Sequence, residues 1–114
     1  MHCCGSFAAL IPAMIGAGID ALQALQPSTP DMRPANLKAK FGGKLLFNGC
    51  IDSQHVLIEG TPLFVREKTK EVIEIMKPGG GYVLSATHDY ILPETPVENV
   101  LAMFDAAKEF GHYP

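Results

Sequence analysis

The stretch LLFNGCIDSQHVLIEGTPLFVREKTKEVIEIMKPGGGYVLSAT, residues 45–87, decides the fold. Leu45 to Ile51 is a short, nearly continuous apolar run, which reads as a strand covered on both faces. A loop carries the chain to Gly60. Thr61-Pro62 then supplies an N-cap hydroxyl followed by proline at the first helical position, where a missing N–H costs nothing. Val65, Val72 and Met76 recur at helical spacing, and Pro78-Gly79 ends the helix. The Lys/Glu pattern from Arg66 to Lys77 marks that helix's exposed face. Tyr82 to Thr87 is a second strand. A strand, a helix and a strand, with both strands apolar throughout, make a parallel βαβ unit.

The same alternation extends outward in both directions. Toward the N-terminus, Pro34 opens a helix in which Leu37 and Phe41 share a face and Gly42 is the stop. The Pro27–Pro30 loop precedes it, and Ala21 to Leu25 is a further strand. Ser6 to Ala17 reads as a buried helix with Ser6 as N-cap, Gly18 as stop, and Pro12 marking a kink or a tight first turn. Toward the C-terminus, Thr95-Pro96-Val97-Glu98 has the spacing of a capping box. Val97, Val100, Leu101 and Phe104 follow as an apolar stripe, and Gly111 closes the helix. The order is thus helix, strand, helix, strand, helix, strand, helix: an α/β chain with a parallel sheet covered by helices. Either an open doubly wound sheet or part of a (β/α)8 barrel fits. Three strands are few for either, and Met1-His2-Cys3-Cys4 abuts the first helix where a strand is expected. The expectation is therefore a C-terminal half, with residues 1–114 forming a single partial domain.

Composition bounds the function. The 114 residues carry nine Lys+Arg against twelve Asp+Glu, a formal charge of −3, which excludes the clustered basic surface that nucleic-acid binding needs. Hydrophobic residues at 47% and charged residues at 18% exclude a disordered chain. Three cysteines, an odd number, suggest free thiols in a reducing compartment. The apolar run from Phe7 to Ile19 has no basic residue before it and falls short of the ~20 residues of a membrane span, so a cytoplasmic protein is expected.

In such sheets functional groups gather where strands end and helices begin. His2 and Cys4 stand before the first helix and Gln26 follows the first complete strand. Asn48, Cys50, Asp52 and Gln54 lie at or beyond the end of the second; Thr87, His88 and Asp89 end the third. All should share one rim. His2-x-Cys4 pairs an imidazole with a thiolate, a donor set suited to Zn²⁺, with Cys50 or His88 as third ligand. His88 could equally act as a general acid or cap its loop. Asp52 and Asp89 could orient imidazoles, bind substrate or cap loops. His55 is assigned no role, and His112 is expected in solvent. Gly79-Gly80-Gly81 follows a helix and precedes a strand, so it reads as a tight turn on the opposite face, not a phosphate cradle.

The succession HCCGS (2–6), AGIDALQALQP (17–27), FGGKLLFNGCIDSQHVLIEGTP (41–62) and PGGGYVLSATHDYILPETPVENVLAMFDAAKEFG (78–111) resembles the C-terminal part of the uroporphyrinogen decarboxylase superfamily. That resemblance implies a (β/α)8 barrel, of which this chain holds roughly the last three strands and four helices. It implies one of two chemistries. The first is zinc-dependent methyl transfer involving a corrinoid protein or a thiol acceptor. The second is cofactor-free decarboxylation of uroporphyrinogen III in porphyrin and haem biosynthesis. The zinc-dependent members carry H-x-C and a later thiolate, so His2 and Cys4 favour the methyltransferase-like branch. His88 stands near where those members place a cysteine, and Cys50 is the alternative. For the decarboxylases, His88 matches a histidine that contacts substrate, with Gln26 and Asp52 as further substrate-binding candidates. The decarboxylases' key aspartate and substrate-binding arginine belong to the N-terminal half. The chain is therefore expected to form a homodimer, to pair with a separate N-terminal half-barrel, or to be a truncated, non-catalytic, self-associating fragment, inactive as an isolated monomer.

Overall fold

The computed structural model describes residues 1–113. Three strands, β1 (Ala21–Leu25), β2 (Leu46–Ile51) and β3 (Tyr82–Ala86), form one parallel sheet in the order β1-β2-β3. Four α-helices follow the expected alternation: α1 (Ile11–Gly16), α2 (Pro34–Phe41), α3 (Pro62–Met76) and α4 (Val97–Phe110). The strand order is monotonic, without the reversal that a doubly wound sheet uses at its crevice. Successive right-handed crossovers in one direction place the helices on one face. This arrangement is compatible with part of a (β/α)8 barrel. A trace of a further strand lies beside β1: His2 forms a parallel bridge with Gln23, whose N–H donates to the Met1 carbonyl at 2.8 Å.

The core lies between the sheet and its helices. Leu22, Leu25, Phe47 and Ile51 meet Leu37, Val65, Val72, Met76 and Met103 in one cluster, each fully buried aliphatic or aromatic side chain contributing about 1.5–3 kcal/mol. The other sheet face is open. Register aligns Gln23, Asn48 and Val83 on it, and Leu46 and Val83 are exposed there.

Several local expectations hold. Pro34 and Pro62 open their helices, and Thr61 Oγ1 accepts from the Phe64 N–H at 3.3 Å. Gly79, Gly80 and Gly81 all take positive φ in the turn before β3, where Lys38 Nζ donates to the Gly80 carbonyl. Others fail for identifiable reasons. Ser6 does not cap the first helix, which begins as a 3₁₀ turn at Ala8–Leu10 and continues as α1 with Pro12 in its first turn. That segment is also only partly buried: Phe7 and Ile11 are enclosed, Ala8, Met14 and Ile15 pack against the core from its edge, and the rest is exposed. The capping box does not form, because Pro96 is the extended N-cap of α4 and Thr95 lies one residue too early. The apolar stripe of α4 is mostly exposed; its buried face is Asn99, Met103 and Ala106. The loop after β2 contains a six-residue π-helix, Ser53–Ile58. Among the described residues no helix is long and apolar enough to cross a membrane.

Candidate functional site

The C-terminal ends of the strands carry two neighbouring polar groups. The first is built on the N-terminal trace and β1. Pairing of His2 with Gln23 brings the imidazole over the sheet edge. His2 Nε2 lies 3.3 Å from Cys4 Sγ, and His2 Nδ1 lies 3.2 Å from Asp89 Oδ1. The Gln23 amide steadies the same carboxylate, donating from Nε2 at 3.0 Å. With Nδ1–H donating to Gln23 Oε1 at 3.3 Å and the Asp89 carboxylate beside it, the Nε2 lone pair faces the sulfur. A carboxylate behind an imidazole fixes its tautomer and raises its strength as a ligand. Zinc bound at about 2.0–2.1 Å to nitrogen and 2.3 Å to sulfur separates two tetrahedral donors by roughly 3.5 Å. His2 and Cys4 fit that as a donor pair. Among the described residues no three of His, Cys, Asp and Glu are grouped closely enough to hold a metal ion.

The second group lines a cavity of about 120 Å³ formed by Gln26, Ser28, Asp52, Gln54, Thr87 and His88. It contains all three residues expected to bind substrate: Gln26, Asp52 and His88. Gln26 joins the two groups, its Oε1 accepting from the Gly5 N–H at 2.8 Å, and His88 adjoins Asp89 in sequence. The rim itself is tied down by Thr87, whose Oγ1 accepts from the Ser53 N–H and whose hydroxyl pairs with Ser53 Oγ, both at 3.1 Å. Asn48 accepts from the Ser85 hydroxyl on the open face below.

Asp52 is already occupied. Its Oδ1 accepts from the Gln54 and His55 N–H groups at 2.9 and 3.0 Å, capping the π-helix, and its Oδ2 lies 2.9 Å from His55 Nδ1. That hydrogen bond and the carboxylate charge raise the His55 pKa. Of the three roles open to Asp52, capping and orienting an imidazole are the ones its oxygens perform. The imidazole is that of His55, to which no role was given; Asp-x-x-His at i, i+3 was the available signal.

Cys50 stands apart from the rim donors. Register pairs it with Ser85, yet its φ of +74° takes its side chain out of the regular alternation. It is 2% exposed and belongs to the apolar core. Burial pushes its thiol up to about 12. A metal there would have to displace a proton held far above neutrality, without His2 or Cys4 beside it. His112 is exposed just past the C-terminal end of α4, as expected, and its carbonyl accepts from Lys77 Nζ.

The family model for uroporphyrinogen decarboxylase (URO-D) matches residues 1–110. Neither a curated protein nor a solved structure matches the chain.

Proposed function

This chain belongs to the uroporphyrinogen decarboxylase family, and from that membership we propose that it forms part of a zinc-dependent methyltransferase-like barrel. The observation that carries the reading is His2 Nε2 at 3.3 Å from Cys4 Sγ with Asp89 behind the imidazole. His2 and Cys4 would supply two ligands, and His88, which is not grouped with them in the folded chain, would have to move in as the third. The metal would act as a Lewis acid toward a thiol or a methyl-bearing oxygen. Asp89 and Gln23 orient His2, while Gln26 and His88 line the adjoining polar cavity in which a small substrate group would sit. A corrinoid carried by a partner protein is the methyl carrier that this reading implies.

Metal analysis tests it directly. The purified protein should bind close to one zinc per chain in equilibrium dialysis. Cys4→Ser should lower its affinity at least tenfold, and Asp89→Asn by about ten- to a hundredfold. Zinc content unchanged in Cys4→Ser would end the proposal.

The polar cavity supports a second reading, porphyrinogen decarboxylation, with His88 contacting a carboxylate arm of the substrate. Turnover of uroporphyrinogen III in chelator-treated protein, abolished by His88→Ala, would select it. Both readings share a structural requirement. The open sheet face and the two free sheet edges would be covered by a complementary half-barrel or by a second copy of this chain. Cover by a second copy without either activity would leave a non-catalytic, self-associating half-barrel as the remaining alternative.

A further inference from the structure

A larger cavity lies on the other side of the sheet, away from the open face. Its volume is about 320 Å³ and it opens between the N-terminal end of α2 and the middle of α3. Exposed Arg33 stands at its edge, and buried Pro34 and Cys50 line it together with Val56, Val72 and Ile75. Every wall belongs to this chain, so the cavity does not depend on a partner closing the barrel. Its size falls at the lower end of small-ligand pockets, about 300–1,000 Å³.

Two features show what it would accept. The charges around it are unequally engaged. Lys68 is paired with Glu71 at 2.9 Å, and both Asp52 oxygens are held by the π-helix and His55. The Arg33 guanidinium has no hydrogen-bond or ion-pair partner among the described residues, while its backbone N–H donates to the Pro30 carbonyl and its carbonyl accepts from the Leu37 N–H. Two cations and two carboxylates line the cavity, and of these the Arg33 guanidinium is the one left without a partner to engage an added anion. The lining at Cys50 is apolar and strained. Cys50 keeps a left-handed backbone, φ +74°, that costs a residue with a Cβ about 1–2 kcal/mol. The adjacent Gly49, at φ +132°, approaches β1 so closely that a Cβ would sit 2.7 Å from the Leu25 nitrogen. This irregularity removes the Cys50 thiol from the open sheet face and gives it to the outer cavity.

We infer that this outer cavity is a binding site for a small amphipathic carboxylate, its anion on Arg33 and its apolar tail against Val56, Val72 and Ile75. Cys50 contributes a neutral, polarizable surface to the tail's end and performs no covalent chemistry. The site shares Ser28 and Asp52 with the rim cavity but uses none of His2, Cys4 or His88, so it stands whether or not the zinc reading does.

Hexanoate is the probe, titrated into the full chain and followed by methyl NMR. Signals of Val56, Val72 and Ile75 should shift and saturate below about 5 mM, while Leu46 and Val83 on the open face stay still. Acetate, which lacks the tail, and hexylamine, which reverses the charge, should each bind at least tenfold more weakly. Arg33→Gln, a surface change that leaves the core untouched, should weaken hexanoate about tenfold, the loss of one charge-assisted contact. No shift at 20 mM hexanoate, equal binding of hexylamine, or unaltered affinity in Arg33→Gln would each overturn the inference.

Discussion

At the scale of single residues, the Asp52–His55 pair gives the molecule a defined pH response. The hydrogen bond from Asp52, and then its charge, raise the pKa of His55 above the ordinary 6.5. A raised folded-state value means that folding favours the imidazolium. The stabilisation is fully present below the unfolded pKa and is lost as pH rises through the folded one. His55 is fully solvated, so the effect is small and screened by salt. In an NMR titration His55 should change charge above pH 6.5 in the parent chain and close to 6.5 in Asp52→Asn. A His55 midpoint that ignores the Asp52 substitution would remove this account. The thiols divide just as clearly. Cys4 is exposed, whereas Cys50 is enclosed with its pKa pushed up to about 12. At pH 8 a disulfide reagent should consume Cys4 quickly and Cys50 only in denaturant. The sequence gives both their positions near strand ends. It cannot show that a positive φ at Cys50 turns one of them into the core, because the irregular register between Gln23 and Leu25 that accompanies it comes from packing between strands.

At the scale of elements, α4 shows why hydrophobic pattern and burial part company. Val97, Leu101 and Phe104 are apolar at helical spacing, yet each is more than half exposed. The side chain that seats the helix is polar: Asn99 is 1% exposed and its Nδ2 donates to the Leu57 and Gly60 carbonyls at 2.8 and 2.7 Å. These two bonds tie α4 to the end of the π-helix and the turn before α3. The π-helix is itself held by Asp52 at its start, so the rim geometry depends on both anchors. Asn99→Leu buries two carbonyls without donors and should cost about 2–4 kcal/mol, seen as a lower midpoint in urea. Phe104→Ser should change stability by under about 0.5 kcal/mol in the same assay, because little of its ring is enclosed. The reverse ranking would mean that the stripe, not Asn99, faces the core. Strand and helix order was legible from proline and glycine punctuation at Pro34, Gly42, Thr61-Pro62 and Pro78-Gly79. Which face of α4 is covered was not legible, since a 3.6-residue period marks an apolar stripe without naming the surface that meets it. The π-helix was hidden for a related reason: Ser53–Ile58 has no distinctive period, and its cap is a single aspartate that turn chemistry explains as well.

At the scale of the whole molecule, the chain buries one face of its sheet and leaves the other open. A parallel sheet is ordinarily covered on both faces, because its crossovers or its closure into a barrel leave neither side to water. Here Leu46 and Val83 stand exposed on the face where Gln23 and Asn48 also project, and Val97, Leu101 and Phe104 add exposed apolar surface on α4. Four sequential parallel positions, the N-terminal trace followed by β1, β2 and β3, make half of an eight-stranded closure. Two such halves related by a two-fold axis would supply eight strands and bring both open faces into one interior. Self-association is therefore the expected behaviour of this chain in solution. Sedimentation equilibrium between about 5 and 200 μM should show the weight-average mass rising toward that of a dimer. Val83→Arg places a charge where the two faces would meet. It should hold the mass at that of the monomer while leaving the thermal midpoint of dilute protein unchanged, because Val83 is solvent-exposed in the single chain. A parent chain that stays monomeric at 200 μM would show that the open face is stable against water. An associating Val83→Arg variant would place the interface elsewhere, with the exposed stripe of α4 as the next surface to alter.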